Sequence, residues 1–193
     1  MPVAFYDPAS LSRGTPDQKK AVQCLDQLQT WRILAPFHPT LCGTLPLQIS
    51  IAGSDLDVIC QFENADAFAA LLLQYYGHLP DFSLTTDCKD GTLLVFARFS
   101  TPDFPVEIFG QNISVERQHA FRHMIQEERL LRLADEAFRQ EIIRLKESGM
   151  STEAAFSHLL QLAGDPFTAI LELEENNDAS LRQLVADRRK LPG

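Results

Sequence analysis

An α+β fold with a helical C-terminal half is predicted by three features of this 193-residue sequence. β-rich runs at residues 55–62, 92–99 and 105–109 are confined to the first 112 positions. Amphipathic helical spacing precedes and interrupts them, and after Ser114 the pattern is helical throughout. The reading divides the chain into an α/β core at residues 1–112 and a helical region at 113–193 packed on that core. This length buries one well-formed core without disulfide or metal staples.

The elements run in order. Thr15-Pro16-Asp17 is a helix start, with a capping hydroxyl, Pro at the first helical position and an acid at the positive dipole end. Val22, Leu25, Leu28 and Trp31 continue it at helical spacing until Pro36 and Pro39. Residues 38–44 read as a short strand entering a tight turn at Gly43. Residues 45–54 connect to a half-buried strand at 55–62. Asn64 caps a helix over 65–76 that Gly77 stops. Residues 92–99 and 105–109 are two further strands around the turn-like Ser100-Thr101-Pro102-Asp103. Four or five helices come next, punctuated by Gly149 and Gly164, with Asp165-Pro166 starting one and Asp178 capping the last. That last helix carries Arg182, Arg188, Arg189 and Lys190 towards its negative end.

Composition narrows the function classes. A hydrophobic fraction of 45% with 22% charged residues fits a water-soluble globular chain. No apolar run reaches the roughly 20 residues of a membrane span, and the N-terminal residues lack a secretory pattern. The expectation is a cytoplasmic protein. Cys24, Cys42, Cys60 and Cys88 show no metal-ligand spacing, and three of the four sit among apolar residues, where a free Cys reads as a small hydrophobe with a structural role. A net charge of −9 disfavours bulk nucleic-acid binding. From Ile33 to Cys88 there is no Lys or Arg, while six acids fall there. An anion bound in this stretch needs positive charge from elsewhere, and a divalent cation is the natural source.

Asp55 and Asp57, two apart on a strand, project side by side and repel unless a cation neutralises them. Glu107, between Val106 and Ile108, is a third acid in a strand. Such a set suits a Mg²⁺ cage that phosphates complete. An Asp-x-Asp pair taken alone is as compatible with a solvated turn.

Spacing adds to this. Leu41-Cys42-Gly43-Thr44, ten residues, then Asp55-Leu56-Asp57-Val58, with Pro105-Val106-Glu107-Ile108 later, resembles the signature of the nucleotidyltransferase superfamily, the DNA polymerase beta-like fold. GTLPLQISIAGSDLDVICQF, PVEIFGQ and QHAFRHM look like a bacterial branch of it known as a domain of unknown function. The superfamily resemblance covers residues 16–112, and that to the branch runs into the helical half. It implies a nucleotidyltransferase-like mixed β-sheet with flanking helices. Asp55, Asp57 and Glu107 are then the metal-binding and catalytic acids for Mg²⁺ or Mn²⁺, and Gly43 and Thr44 the phosphate loop. Ser54, Arg98 and Arg122 join the nucleotide-binding candidates. The implied reaction is transfer of a nucleoside monophosphate from an NTP to an acceptor hydroxyl on an RNA end, a protein or a small molecule.

One departure stands out. Leu45-Pro46-Leu47 occupies the place where many superfamily members carry a basic or polar residue. Charge would have to come from Arg98, Arg117 or Arg122. Gln111, Gln118 and His123 are possible supporting residues, with Gln118 and Arg122 on one helix face; His123 between apolar neighbours equally fits a core-edge histidine. The run Glu127–Arg132 reads as a solvated helix face, and Tyr75-Tyr76 as packing residues. Two alternatives to the enzyme remain: a catalytically inactive nucleotide- or partner-binding module with the same fold, and a structural interaction protein that binds no nucleotide.

Overall fold

The computed structural model describes residues 6–89 and 91–188. Along the chain run α1 (Pro8–Leu11), α2 (Pro16–Gln27), α3 (Thr30–Ile33), β1 (Thr40–Cys42), β2 (Leu56–Gln61), α4 (Ala65–Tyr76), β3 (Ser83–Lys89), β4 (Thr92–Ser100) and β5 (Pro105–Gln111). Then come α5 (His119–Leu133), α6 (Glu136–Glu147), α7 (Thr152–Leu160), α8 (Pro166–Glu172) and α9 (Asp178–Asp187). This is the predicted α+β class with a helical C-terminal half. The chain forms two compact units: Met1–Gln48 with Ala52–Phe121, and Ile49–Ile51 with Arg122–Gly193.

The first unit is built on a five-stranded mixed sheet of order β1-β2-β5-β4-β3. β2 and β5 are parallel, and the other neighbours are antiparallel. Alternation along β2 and β5 sends Leu56, Val58, Cys60, Val106 and Ile108 into the main core, where they meet Val22 and Leu25 of α2 and Phe68 and Leu72 of α4. Their strand neighbours Asp57 and Glu107 therefore face the other way. Gly110 on β5 sits against two rings: an added Cβ would lie 2.3 Å from Phe68 Cε1 and 2.9 Å from Phe62 Cδ1.

Local chemistry explains the boundaries. Thr15 and Gln18 form a reciprocal capping box at the start of α2, and Asn64 caps α4 through Ala67 N–H. The first helix does not continue through Trp31. It ends at Gln27 because Gln29 adopts a left-handed conformation (φ 54°), and Trp31 lies in the separate α3. Gly77 ends α4 without turning left-handed (φ −60°); a Cβ there would collide with the Leu73 carbonyl oxygen at 2.4 Å. Edge strand β3 escapes the sequence reading because its side chains are almost all exposed, leaving no apolar alternation.

The second unit is helical. α7 packs against α6 and α8, with Phe138 and Phe156 edge-to-face at 5.8 Å. Lys146, almost wholly buried, donates to the Ile49 carbonyl at 2.7 Å and so ties the Ile49–Ile51 segment into this unit. Asn177, not Asp178, caps α9; Asp178 is its first residue and pairs with Arg129 at 3.0 Å. Arg188 turns to Asp135 and the Phe138 ring. Arg189 and Lys190 lie outside the described residues. Glu128 and Arg132 pair at 3.6 Å as the helix spacing predicts, but Glu127 is only 4% exposed and so is not on a solvated face. No described helix is long and apolar enough to cross a membrane.

Gly110→Ala is expected to destabilise the protein by about 1–3 kcal/mol, the usual cost of overpacking a filled site. The check is the urea midpoint at unchanged slope. A midpoint equal to wild type would mean the Phe62–Phe68 wall yields.

Candidate functional site: a carboxylate group on the sheet

Register assembles the site. Across the parallel pair Asp57 stands opposite Glu107, β1 sets Cys42 opposite Asp57, and β4 sets Arg98 opposite Glu107. Directly opposed residues share a sheet face, so one row carries a thiol, two acids and a guanidinium. Asp55 sits one residue before β2, and carboxylate oxygens of Asp55, Asp57 and Glu107 lie within 4.8 Å of one another. All three residues are half-buried, reachable but not fully solvated.

Gly43 comes directly after β1 with φ +75°, and a Cβ on it would lie 2.1 Å from Asp57 Oδ2. Only glycine satisfies both the left-handed backbone and the contact with the carboxylate. Thr44 comes next, half-buried. Leu45, Pro46 and Leu47 are buried, and Gln18 Nε2 donates to the carbonyls of Leu45 at 3.1 Å and Pro46 at 3.3 Å. The apolar residues found in place of a basic one thus anchor the loop. Gln18 is a positioning residue that the sequence reading missed, although its spacing from Thr15 was the visible half of the capping box. Ser54 is half-buried beside Asp55.

Electrostatics at the group are those of crowded acids. Burial and then the Asp55 charge raise the Glu107 carboxyl above the ordinary glutamate range, with Arg98 opposing them. Arg98 Nε lies 3.5 Å from Glu107 Oε1 and is more than half exposed. Burial, with Asp57 adding to it, keeps the Cys42 thiol neutral. Cys24 and Cys60 are buried as expected, whereas Cys88 is exposed.

The other candidates are placed elsewhere. Gln111 closes β5 opposite Gln61. Gln118 does not share a helix face with Arg122: it precedes α5 in extended conformation, fully buried, and donates to the carbonyls of Cys60 at 2.8 Å and Ile113 at 3.3 Å. Arg122 belongs to the second unit and grips Glu174 with two bonds of 2.9 and 2.7 Å. His123, also in the second unit, is buried with its ring 4.1 Å from that of Phe167. Tyr76 is buried and stacks on Phe99, while Tyr75 is exposed.

The Glu107 shift sets a pH dependence. A carboxyl whose folded pKa is raised supports folding fully below its unfolded value, near 4.5, and that support is lost as pH rises through the folded value. Glu107→Gln is therefore expected to melt higher than wild type at neutral pH in chelator, on the order of 1–2 °C, with the gap closing in acid. The exposed Arg98 pairing lost with it counts for little. Thermal melts across this range decide it: a variant that melts lower at neutral pH would show that the pairing outweighs the crowding.

Comparisons with known proteins place the fold. Residues 23–173 match the family described as Domain of unknown function (DUF4269). No curated protein matches the chain. A Cid1 poly(U) polymerase structure, Mg 3'-dATP bound, aligns with TM-score 0.53 at 13% identity, over 82% of this chain and 49% of that one. A Cid1 structure described for RNA terminal uridylyl transferase activity aligns at 0.53 and 14%, over 90% and 64%. The GLD-2/RNP-8 complex aligns at 0.54 and 16%, over 91% and 64%. At such identities the likeness is one of fold, and it is the nucleotidyltransferase-like fold that the motif spacing implied. This chain spans between 49% and 64% of the length of those three. With the family match extending over most of its length, the protein belongs to the DUF4269 family.

Proposed function

We propose that the protein is a metal-dependent nucleotidyltransferase, moving a nucleoside monophosphate from an NTP to an acceptor hydroxyl, with Asp55, Asp57 and Glu107 as its acids. The observation that carries this reading is their meeting in one region of the sheet, with donor oxygens within 4.8 Å, on a nucleotidyltransferase-like fold. The donor set fits the cation: it is all oxygen, half-buried and crowded enough that burial and the Asp55 charge raise the Glu107 carboxyl. Hard ions such as Mg²⁺ or Mn²⁺ suit such ligands. When bound, the cation would neutralise the triphosphate and favour an ionised acceptor oxygen.

The chain's own residues supply positioning. Gly43, whose missing side chain leaves room for the Asp57 carboxylate, would let phosphate oxygens approach the acids, with Thr44 next to it in the chain and Ser54 next to Asp55 as further polar groups. Glu107, whose carboxyl is raised by burial and by the Asp55 charge, would take the proton of the acceptor hydroxyl. Arg98 is exposed enough to exchange its contact with Glu107 for a phosphate. The acceptor class spans RNA ends, proteins and small molecules; the Cid1 structures are described as a poly(U) polymerase and for RNA terminal uridylyl transferase activity, and the −9 charge weighs against extended nucleic-acid contact.

A second reading, a nucleotide- or partner-binding module without turnover, is favoured by the cation supply. Leu45-Pro46-Leu47 is buried structure, Arg122 is engaged by Glu174, and Arg98 is the arginine in the row with the acids.

Calorimetry of NTP with Mg²⁺ or Mn²⁺, on wild type and Asp55→Asn/Asp57→Asn, tests both. Metal-dependent binding should fall at least tenfold in the double variant, a loss of about 1.4 kcal/mol or more. Pyrophosphate release with an acceptor then separates enzyme from module. Binding that survives the substitutions unchanged, or no binding of any NTP with either metal, would overturn the placement of the site.

A further inference from the structure

A second group of ligating side chains lies wholly within the second unit. His123 and Glu127 are four residues apart on α5 and so share a helix face. Glu153 stands in the first turn of α7. One donor atom from each of the three lies within 4.8 Å of the others. His123 and Glu127 are each 4% exposed, and Glu153 is half-buried.

We propose that His123, Glu127 and Glu153 bind a divalent transition-metal ion of the zinc class, through one imidazole nitrogen and two carboxylates. The Glu127 carboxylate is the observation that asks for a ligand. It is more than nine-tenths buried, and no hydrogen bond among the described residues reaches it. A buried carboxylate without such bonds is costly, and its charged neighbours are a second carboxylate, Glu153, and the Lys146 ammonium. Lys146 already donates to the Ile49 carbonyl.

Donor chemistry selects the ion. An imidazole beside two carboxylates suits Zn²⁺ and its neighbours, whereas Mg²⁺ and Ca²⁺ prefer all-oxygen sets. Three protein ligands leave a fourth position for water, and the partial exposure of Glu153 gives that position its access. The imidazole is oriented by more than its ligand role: the Phe167 ring lies 4.1 Å from it, and Asp165 at the start of α8 feels its charge. Such surrounding groups fix ligand geometry in metal sites. Bound there, the ion would clip α5 to α7, helices 18 residues apart between Leu133 and Thr152, and stabilise the folded state by mass action.

This site shares no residue with the sheet group and stands or falls independently of the nucleotidyl-transfer reading. The test titrates Zn²⁺ into the whole chain carrying Asp55→Asn/Asp57→Asn, by competition with a chromogenic chelator, so that the sheet group is disabled. One equivalent should bind, with a higher melting temperature that EDTA reverses. Adding Glu153→Gln should weaken binding by at least tenfold, no less than the ~10–100-fold attached to loss of an outer-shell partner. Glu153 is chosen because, unlike His123 and Glu127, it is half-buried, and circular dichroism confirms that the variant folds. Co²⁺ provides a second readout: its visible absorption on binding should be present in the parent and absent in the Glu153→Gln variant. No Zn²⁺ binding in the parent, or equal affinity and an unchanged Co²⁺ spectrum with Glu153→Gln, would overturn the proposal.

Discussion

The parallel pairing of β2 with β5 holds Asp57 beside Glu107, and the rest of the first unit can be understood as the means of making that pairing tolerable. Two charges at about this spacing repel by roughly 1 kcal/mol in a water-like medium and by a few kcal/mol at an effective dielectric near 20. On the opposite face, Leu56, Val58, Val106 and Ile108 are completely buried. Each contributes about 1.5–3 kcal/mol by leaving water, so the apolar face outweighs the repulsion on the acidic one. A one-residue slip of β2 against β5 would move the whole apolar set out of the core. Register is thereby fixed by residues that never touch the site, and the acids are carried into place by it.

The Gly43 loop obeys the same logic from the other side of β2. Asp57 occupies the space a side chain on Gly43 would need. The loop is therefore held from its C-terminal side. Leu45 and Leu47 are buried, and Gln18 reaches across from α2 to satisfy the carbonyls of Leu45 and Pro46. The same Gln18 accepts from Thr15 N–H in the capping box. One side chain thus starts a helix and secures the loop that shapes the carboxylate group. A basic residue at Leu45 would have to be buried there, which explains why this loop carries no charge.

How much of this was legible in the sequence depends on where each determinant resides. Asn64 capping α4, the Thr15 cap of α2 and the strands β2, β4 and β5 were readable because their signals are local: a cap, a proline, an alternation. The grouping of the three acids was legible because Asp55 and Asp57 are two apart at a strand and Glu107 interrupts an apolar strand, and the β2–β5 register then brings them together. The break at Gln29 was not, since a left-handed glutamine is imposed by surroundings rather than by any propensity of its own. Edge strand β3 was hidden by its exposed faces. Glu127 was misread because its position beside Glu128 and Arg129 mimics a solvated face, whereas it is only 4% exposed and a carboxylate oxygen of it lies within 4.8 Å of one of Glu153 on α7, 26 residues on in the sequence. Gln118 looked like part of α5 and instead bonds back to β2.

Charge finally orders the events that the sheet group can support. Lys and Arg are missing from Ile33 to Cys88, and Arg98 pairs with Glu107. A triphosphate approaching three carboxylates would meet repulsion from every side but one. Arg98 cannot offset that alone, because releasing it to the phosphate leaves Glu107 facing Asp55 and Asp57 without its counter-charge. Under the nucleotidyl-transfer reading, the nucleotide must then arrive with its cation or after it. The half-buried character of the three acids matters here. Fully solvated, they would bind a hard cation weakly in competition with water, and deeper burial would raise the cost of leaving them charged. Burial and the Asp55 charge raise the Glu107 carboxyl, and an arriving cation would favour its ionised form. Cation binding and ionisation of Glu107 are, on this view, coupled, and the nucleotide follows the cation.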